Sequence, residues 1–228
     1  MKKNHKDKID VHVIAPAKEQ SGIGSYTDDL FKHMSEININ RNILPADSNN
    51  PLEFARCAVK IHFTDSDIVH IQHEYGLFGP GFVMSFIFFP IIYLFSTIQN
   101  QPVIITIHEA LNENLVTSPL YHLKQLYIKL LNNCITFGTE YIIFLSENSA
   151  EKFTTSINLE SYDVLPHGAD PTKQIEYSQD QAKRRLEYRP TDVVISEPGY
   201  VEPRKGNAIL VEIAEQLPEY EFVIAGGP

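Results

Sequence analysis

Short, nearly unbroken apolar runs at 9–15, 68–72, 103–108 and 141–145 constrain the fold of this chain more than any other feature. Each has the length of a buried strand, and the segments between them read as turns and helices. After 9–15 come Ser21, Gly22, Ile23, Gly24 and Ser25, a turn with two glycines. Tyr26, Leu30, Phe31 and Met34 then follow at helical spacing. The order repeats with a short strand at 43–45, a helix at 51–63 and the strand at 68–72, which Asp65 and Asp67 introduce. The β-branched run Val103, Ile104, Ile105, Thr106 and Ile107 leads into a long amphipathic helix at 118–137. A strand at 141–145, a short helix at 149–153 and a strand at 163–165 complete the series. Strands alternating with helices imply a parallel sheet with helices on both faces.

The expected fold class is therefore α/β, with a Rossmann-like parallel-sheet domain over 1–170. Residues 171–192 turn polar and charged, with Lys183, Arg184, Arg185, Glu187 and Arg189, and read as a linker or linking helix. A strand at 193–196, a helix at 207–216 and a strand at 221–225 then begin a second Rossmann-like domain, 193–228, as its first βαβ unit.

Composition excludes several functions. With 43% hydrophobic and 21% charged residues, the 228-residue chain buries a sizeable core and is not a disordered tail. Its 19 basic and 29 acidic side chains give a net charge of -10, which opposes binding to a phosphate backbone, so no nucleic acid partner is expected. Cys57 and Cys134 lie far apart and outside any metal-ligand spacing, so neither a disulfide framework nor a metal site is indicated. The apolar run at 9–15 is too short for a secretory signal, and a cytoplasmic location is expected.

One segment bears on membranes. Residues 76–107 carry no charge, and 82–98 are almost wholly apolar, which on length approaches a membrane span. The segment lies between two strands of one parallel sheet, so it reads instead as a crossover helix, which Pro90 is expected to kink. The sheet covers only one side of such a helix. Peripheral membrane contact through 82–98 is the expectation, at the inner face of a membrane.

Three groups of residues carry chemistry. The turn at Gly22 and Gly24 lies between a strand and a helix, where backbone N–H groups and the helix dipole favour an anion. It lacks the third glycine of the dinucleotide fingerprint, so a nicotinamide cofactor is disfavoured. His73, Glu74 and Tyr75 follow the strand at 68–72, in the run from His70 to Gly79, and His108 and Glu109 end the strand at 103–108. Ligands of open α/β sheets bind at the carboxyl ends of the strands, so two His-Glu pairs are expected at one edge.

These motifs, together with Leu165-Pro166-His167-Gly168-Ala169-Asp170, the run 198–206 and Ile224-Ala225-Gly226-Gly227-Pro228, resemble glycosyltransferase family 4 in their order along almost the whole chain. The resemblance implies a retaining enzyme of the GT-B fold, with two facing Rossmann-like domains. A carbohydrate or lipid-linked acceptor would bind mostly on the first and a nucleotide sugar mostly on the second, without metal or other cofactor. By this likeness Gly22 and Gly24 match the loop that approaches the donor, and His108, with Glu109 beside it, matches the active-site histidine. His73, Glu74 and Tyr75 fall on the acceptor side, and His167 replaces the asparagine of an interdomain segment. Lys205 matches the lysine that pairs with the donor diphosphate. The family's preceding arginine is absent, and Arg204 stands next to Lys205 instead, with Glu202 close by.

The family's two later glutamates, which hold donor sugar and ribose, have no counterpart here, so a chain truncated in its donor half and inactive by itself is expected. No protein nucleophile is implied. Two other functions share these features: a non-catalytic sugar-nucleotide or partner-binding remnant, and a GT-B-fold sugar-nucleotide epimerase.

Overall fold

The computed structural model describes residues 8–19, 21–111, 120–159, 161–168, 177–199, 201 and 205–226. The chain divides into two compact units, Met1–Ala169 and Asp170–Pro228. In the first, β1 (Ile9–Ala15), α1 (Gly22–Lys32), β2 (Ile37–Ile43), α2 (Pro51–Val59) and β3 (Ile68–His73) are followed by α3 (Ser85–Gln99) and β4 (Val103–Ile107). Then come α4 (Tyr121–Thr136), β5 (Tyr141–Phe144), α5 (Glu147–Thr154) and β6 (Tyr162–Val164). The six strands form one wholly parallel sheet in the order β2-β1-β3-β4-β5-β6. This is the expected Rossmann-like α/β architecture.

Strand order explains where the helices go. The step from β1 to β2 runs one way along the sheet and every later step runs the other way, so right-handed crossovers must place their helices on opposite faces. Among the described residues helix α1 alone packs on the first face, where Phe31 and Leu30 cover Val11, Val13 and Ala15. Helices α2 to α5 cover the second face, burying Phe54, Phe88, Phe89, Leu131 and Phe153 against Ile14, Ile71 and Ile105. Both faces carry helices as expected, but in the ratio of one to four.

Three expected elements differ. The strand placed at 43–45 is β2, and it runs over 37–43 with the sequence Ile-Asn-Ile-Asn-Arg-Asn-Ile. Asparagine disfavours strands, but here the alternation puts the isoleucines on the α1 face and Asn42 on the other. Asn42 is buried and donates to the Cys57 carbonyl at 2.8 Å. Helix α1 begins at Gly22, so the glycine turn is its first turn, and it ends before Met34. Helix α2 stops at Val59 and tightens into a 3-10 turn, Lys60–Phe63. Helix α3 runs through Pro90, and among the described residues no helix is long and apolar enough to cross a membrane.

In the second unit α6 (Gln179–Arg185) is closed at its start by a reciprocal capping box between Ser178 and Gln181. β7 (Val194–Pro198), α7 (Asn207–Gln216) and β8 (Glu221–Ala225) form a parallel two-stranded sheet with one helix. Val193, Ile209 and Val211 are exposed.

Candidate functional site

β1 leads to β2 on one side and neighbours β3 on the other, which makes the carboxyl ends of β1 and β3 the switch point of the sheet. Helix α1 starts there. Ser21 caps it from an extended conformation, its Oγ accepting the Gly24 N–H at 3.1 Å. The two glycines are not equivalent. A Cβ on Gly24 would lie 2.1 Å from the carbonyl oxygen of Ala17, so only glycine lets the chain leaving β1 fold back over the first helical turn. A Cβ on Gly22 would meet nothing within 4 Å, and nothing in the surrounding chain requires glycine there.

One turn further on, Tyr26 stands edge-on to two histidine rings, with centroids 5.1 Å from His108 and 4.8 Å from His167. The two histidines are themselves 5.7 Å apart. Helix α1, the residue after β4 and the segment after β6 thus meet at one edge.

A chain of hydrogen bonds fixes His108 from below. His70 and Gln72 alternate onto the α1 face of β3, and register pairs Gln72 with Thr106 of β4. The Thr106 hydroxyl lies 2.9 Å from His70 Nε2, and Gln72 Nε2 donates to the same nitrogen at 3.4 Å. Gln72 Oε1 then accepts from His108 Nε2 at 2.7 Å, while the His108 backbone N–H donates to the His73 carbonyl at 2.9 Å. In this arrangement His108 carries its proton on Nε2 and leaves Nδ1 as an acceptor. Burial first, then the neighbouring His167 and His70, push its pKa down to about 4. Burial lowers His70 likewise, to about 4. The pair is neutral near pH 7.

The other expected site residues divide by parity along the strands. His73 and Tyr75 do not line the edge. His73 pairs with Ile107 on the face opposite α1, fully buried, and stacks on Phe78 at 5.2 Å. Tyr75 is buried too, its hydroxyl donating to Asn132 Oδ1 at 2.7 Å. Only one of the two expected His-Glu pairs therefore presents its histidine on the α1 side. Glu74 is half-buried and Glu109 exposed. Lys205 is exposed in the second unit, just before α7, and Arg204 lies outside the described residues.

Tyr26, His70, Gln72 and Thr106 were not expected at the site. The signal for the last three was period-two alternation, which groups His70 with Gln72 and Thr106 with His108 once the register of β3 and β4 is known. Among the described residues no three side chains of the metal-ligating types converge.

No protein-family model matches the chain, and no curated protein matches it in sequence. Solved structures share its fold. HepE from Anabaena, crystallised in complex with UDP, superposes with a TM-score of 0.59 at 14% identity over 96% of this chain. A UDP-N-acetylglucosamine 2-epimerase superposes with a TM-score of 0.50 at 14% identity over 94% of it. The chain spans 61% and 63% of those two proteins, respectively. What the chain shares with them is the α/β fold, with its parallel six-stranded sheet.

Proposed function

We propose that this chain handles a nucleotide diphosphate sugar at the carboxyl edge of its six-stranded sheet, as part of a retaining glycosyltransferase resembling family 4. The observation that carries this reading is the convergence on α1. Its first turn offers a glycine, Gly22, that nothing in the chain requires, and its next turn sets Tyr26 against His108 and His167. The glycine leaves room for a ligand to approach the helix N-terminus, where backbone N–H groups and the dipole favour an anion. The fold shared with HepE, which was crystallised with UDP, supports the choice of ligand.

The chemistry assigned to His108 follows from its pKa of about 4. A group that far below neutrality stores no proton for acid catalysis near pH 7, but its Nδ1 accepts a hydrogen bond from a sugar hydroxyl. His108 is therefore an orienting group, with Tyr26 and His167 as its walls, Glu109 next to it in the chain and Glu74 after the neighbouring strand β3. Lys205, with Arg204 beside it, supplies positive charge for the leaving diphosphate, whose developing charge is the main demand of the reaction. The acceptor is a carbohydrate or lipid-linked saccharide, the enzyme works in the cytoplasm, and no further cofactor takes part.

Calorimetric titration of the chain with UDP and UDP-sugars tests the reading. Binding is expected, and Gly22→Ala should weaken it about tenfold or more while leaving the melting temperature unchanged, because the new methyl projects into the ligand's space. His108→Ala should weaken binding of the sugar nucleotide more than that of UDP. Binding that neither substitution alters would overturn the site. The fold shared with an epimerase makes product analysis decisive between the two chemistries. An epimerised sugar formed from donor alone identifies an isomerase, and transfer that needs an acceptor identifies a transferase. Binding without turnover identifies the non-catalytic form.

A further inference from the structure

The sheet face that α1 covers is apolar along β1, where Val11, Val13 and Ala15 meet Phe31, but it turns polar on β3 and β4. Gln72 is fully buried there and Thr106 nearly so, at 0% and 2% exposure. Burying an amide costs free energy unless its hydrogen-bonding groups are met, so the partners of Gln72 show what it does. Both ends of the amide go to histidines, Nε2 to His70 Nε2 at 3.4 Å and Oε1 to His108 Nε2 at 2.7 Å.

A carboxamide donates at one end and accepts at the other, so it couples the tautomers of the two rings. A separation of 2.7 Å suits N–H···O, which sets the amide oxygen towards His108. His70 Nε2 is then an acceptor, met from β4 by the Thr106 hydroxyl at 2.9 Å. Phe31 stands edge-on to the His70 ring at 5.7 Å and holds it from α1. The His108 backbone is tied separately, through its N–H to the His73 carbonyl, and that bond is indifferent to which ring nitrogen carries the proton. The titratable groups around the His108 ring are Tyr26 on α1, His70 on β3, His167 after β6 and His73 on the other face, with Glu109 next in the chain. Burial first, then His167 and His70, disfavour a charged ring, so hydrogen bonding decides its tautomer.

We propose that Gln72 is a positioning residue that decides which ligand group His108 accepts. With the amide oxygen on Nε2, Nδ1 of His108 presents a lone pair, which takes an O–H and repels a phosphate oxygen. The sugar half of a nucleotide sugar is thereby preferred at His108, and the diphosphate is left to the helix N-terminus. This rests on the reading of the edge as a sugar-nucleotide site. A carboxylate in place of the amide would instead favour an imidazolium, which donates at both nitrogens.

Two substitutions separate this role from packing. Gln72→Met keeps the length of the side chain and removes both hydrogen bonds, whereas Gln72→Glu keeps the acceptor and adds charge. Nitrogen magnetic resonance of the histidine rings, without nucleotide, should show His108 neutral at pH 7 with its proton on Nε2. Gln72→Met should mix the two tautomers. Gln72→Glu should move the titration of His108 from about 4 to between about 5 and 7. With circular dichroism unchanged, both should lower the ratio of UDP-sugar to UDP affinity about fivefold or more, Gln72→Glu chiefly by tightening UDP. Either variant alone decides the tautomer, so one that does not fold leaves the other to decide. A purely Nε2-protonated His108 in Gln72→Met, or an unmoved titration in Gln72→Glu, overturns the proposal. So does an unchanged affinity ratio once the tautomer has shifted. If the unsubstituted chain binds no sugar nucleotide, the reading of the edge fails, while the resonance measurement, which uses no ligand, still decides whether Gln72 sets the tautomer of His108.

Discussion

Four histidines in the first unit are held neutral by their surroundings, and this sets how the unit responds to acid. Burial lowers His12, His70 and His108 to about 4 and His73 to about 3, with Lys60 adding to the effect on His12 and His108 to that on His73. Among the described residues neither ring nitrogen of His12 or His73 has a hydrogen-bond partner. A histidine whose folded pKa lies below its ordinary 6.5 is protonated more readily in the unfolded chain. Its contribution is fully present above pH 6.5 and is lost as pH falls towards 4. Thermal midpoints should therefore be flat from pH 8 to 7 and drop between pH 6.5 and 4, with uptake of as many as four protons on unfolding. A His73→Leu variant should show a shallower drop, because its side chain has nothing to protonate. Equal slopes for the two proteins would show that His73 is solvated and that its placement inside the core is wrong. The glycines make the same point about single positions: Gly22 and Gly24 look alike in sequence, but only Gly24 is pressed against a carbonyl.

At the level of elements, β2 and α4 depart furthest from what local sequence suggests. β2 holds three asparagines, and it is a strand through its ladder to β1, with Ile37 packed on the α1 side and Asn42 satisfying buried groups around α2. Asn42 donates to the Cys57 carbonyl and accepts from Lys60 Nζ at 3.3 Å. Asn42→Ala removes one of the donors to that carbonyl, which keeps the Lys60 backbone N–H, and should cost about 0.5–1.5 kcal/mol in urea unfolding. A change below about 0.5 kcal/mol would mean that water replaces the amide without penalty. The apolar stripe of α4 was legible as helical, but its outward set of leucines was not separable from the inward one. Both repeat at helical spacing, and only the position of α3 and the sheet tells them apart.

On the scale of the whole molecule, the two units should differ in stability. Six parallel strands bury Ile14, Ile71, Ile105 and Phe144 completely in the first unit, whereas the described residues of the second form a two-stranded sheet and the helices α6 and α7, with Ile209 and Val211 exposed. A two-stranded sheet is marginal by itself. Amide exchange should therefore be slowest in β1, β3 and β4 and faster by about two orders of magnitude or more in β7 and β8. Similar protection in both would show that the small sheet is buttressed beyond what its own elements provide. The order of strands and helices, the parallel sheet and the placing of a glycine turn after β1 could all be read from the chain, because period, β-branching and turn residues act locally. Handedness then dictates one helix on the first face and four on the second. Register and neighbours do the rest. His73 and His108 both close a strand, but pairing of His73 with Ile107 turns it into the core, while His108, one residue further on, faces Tyr26 and His167. A one-residue change of parity reverses a side chain's surroundings, and parity relative to the core is a property of the assembled sheet and not of any single strand.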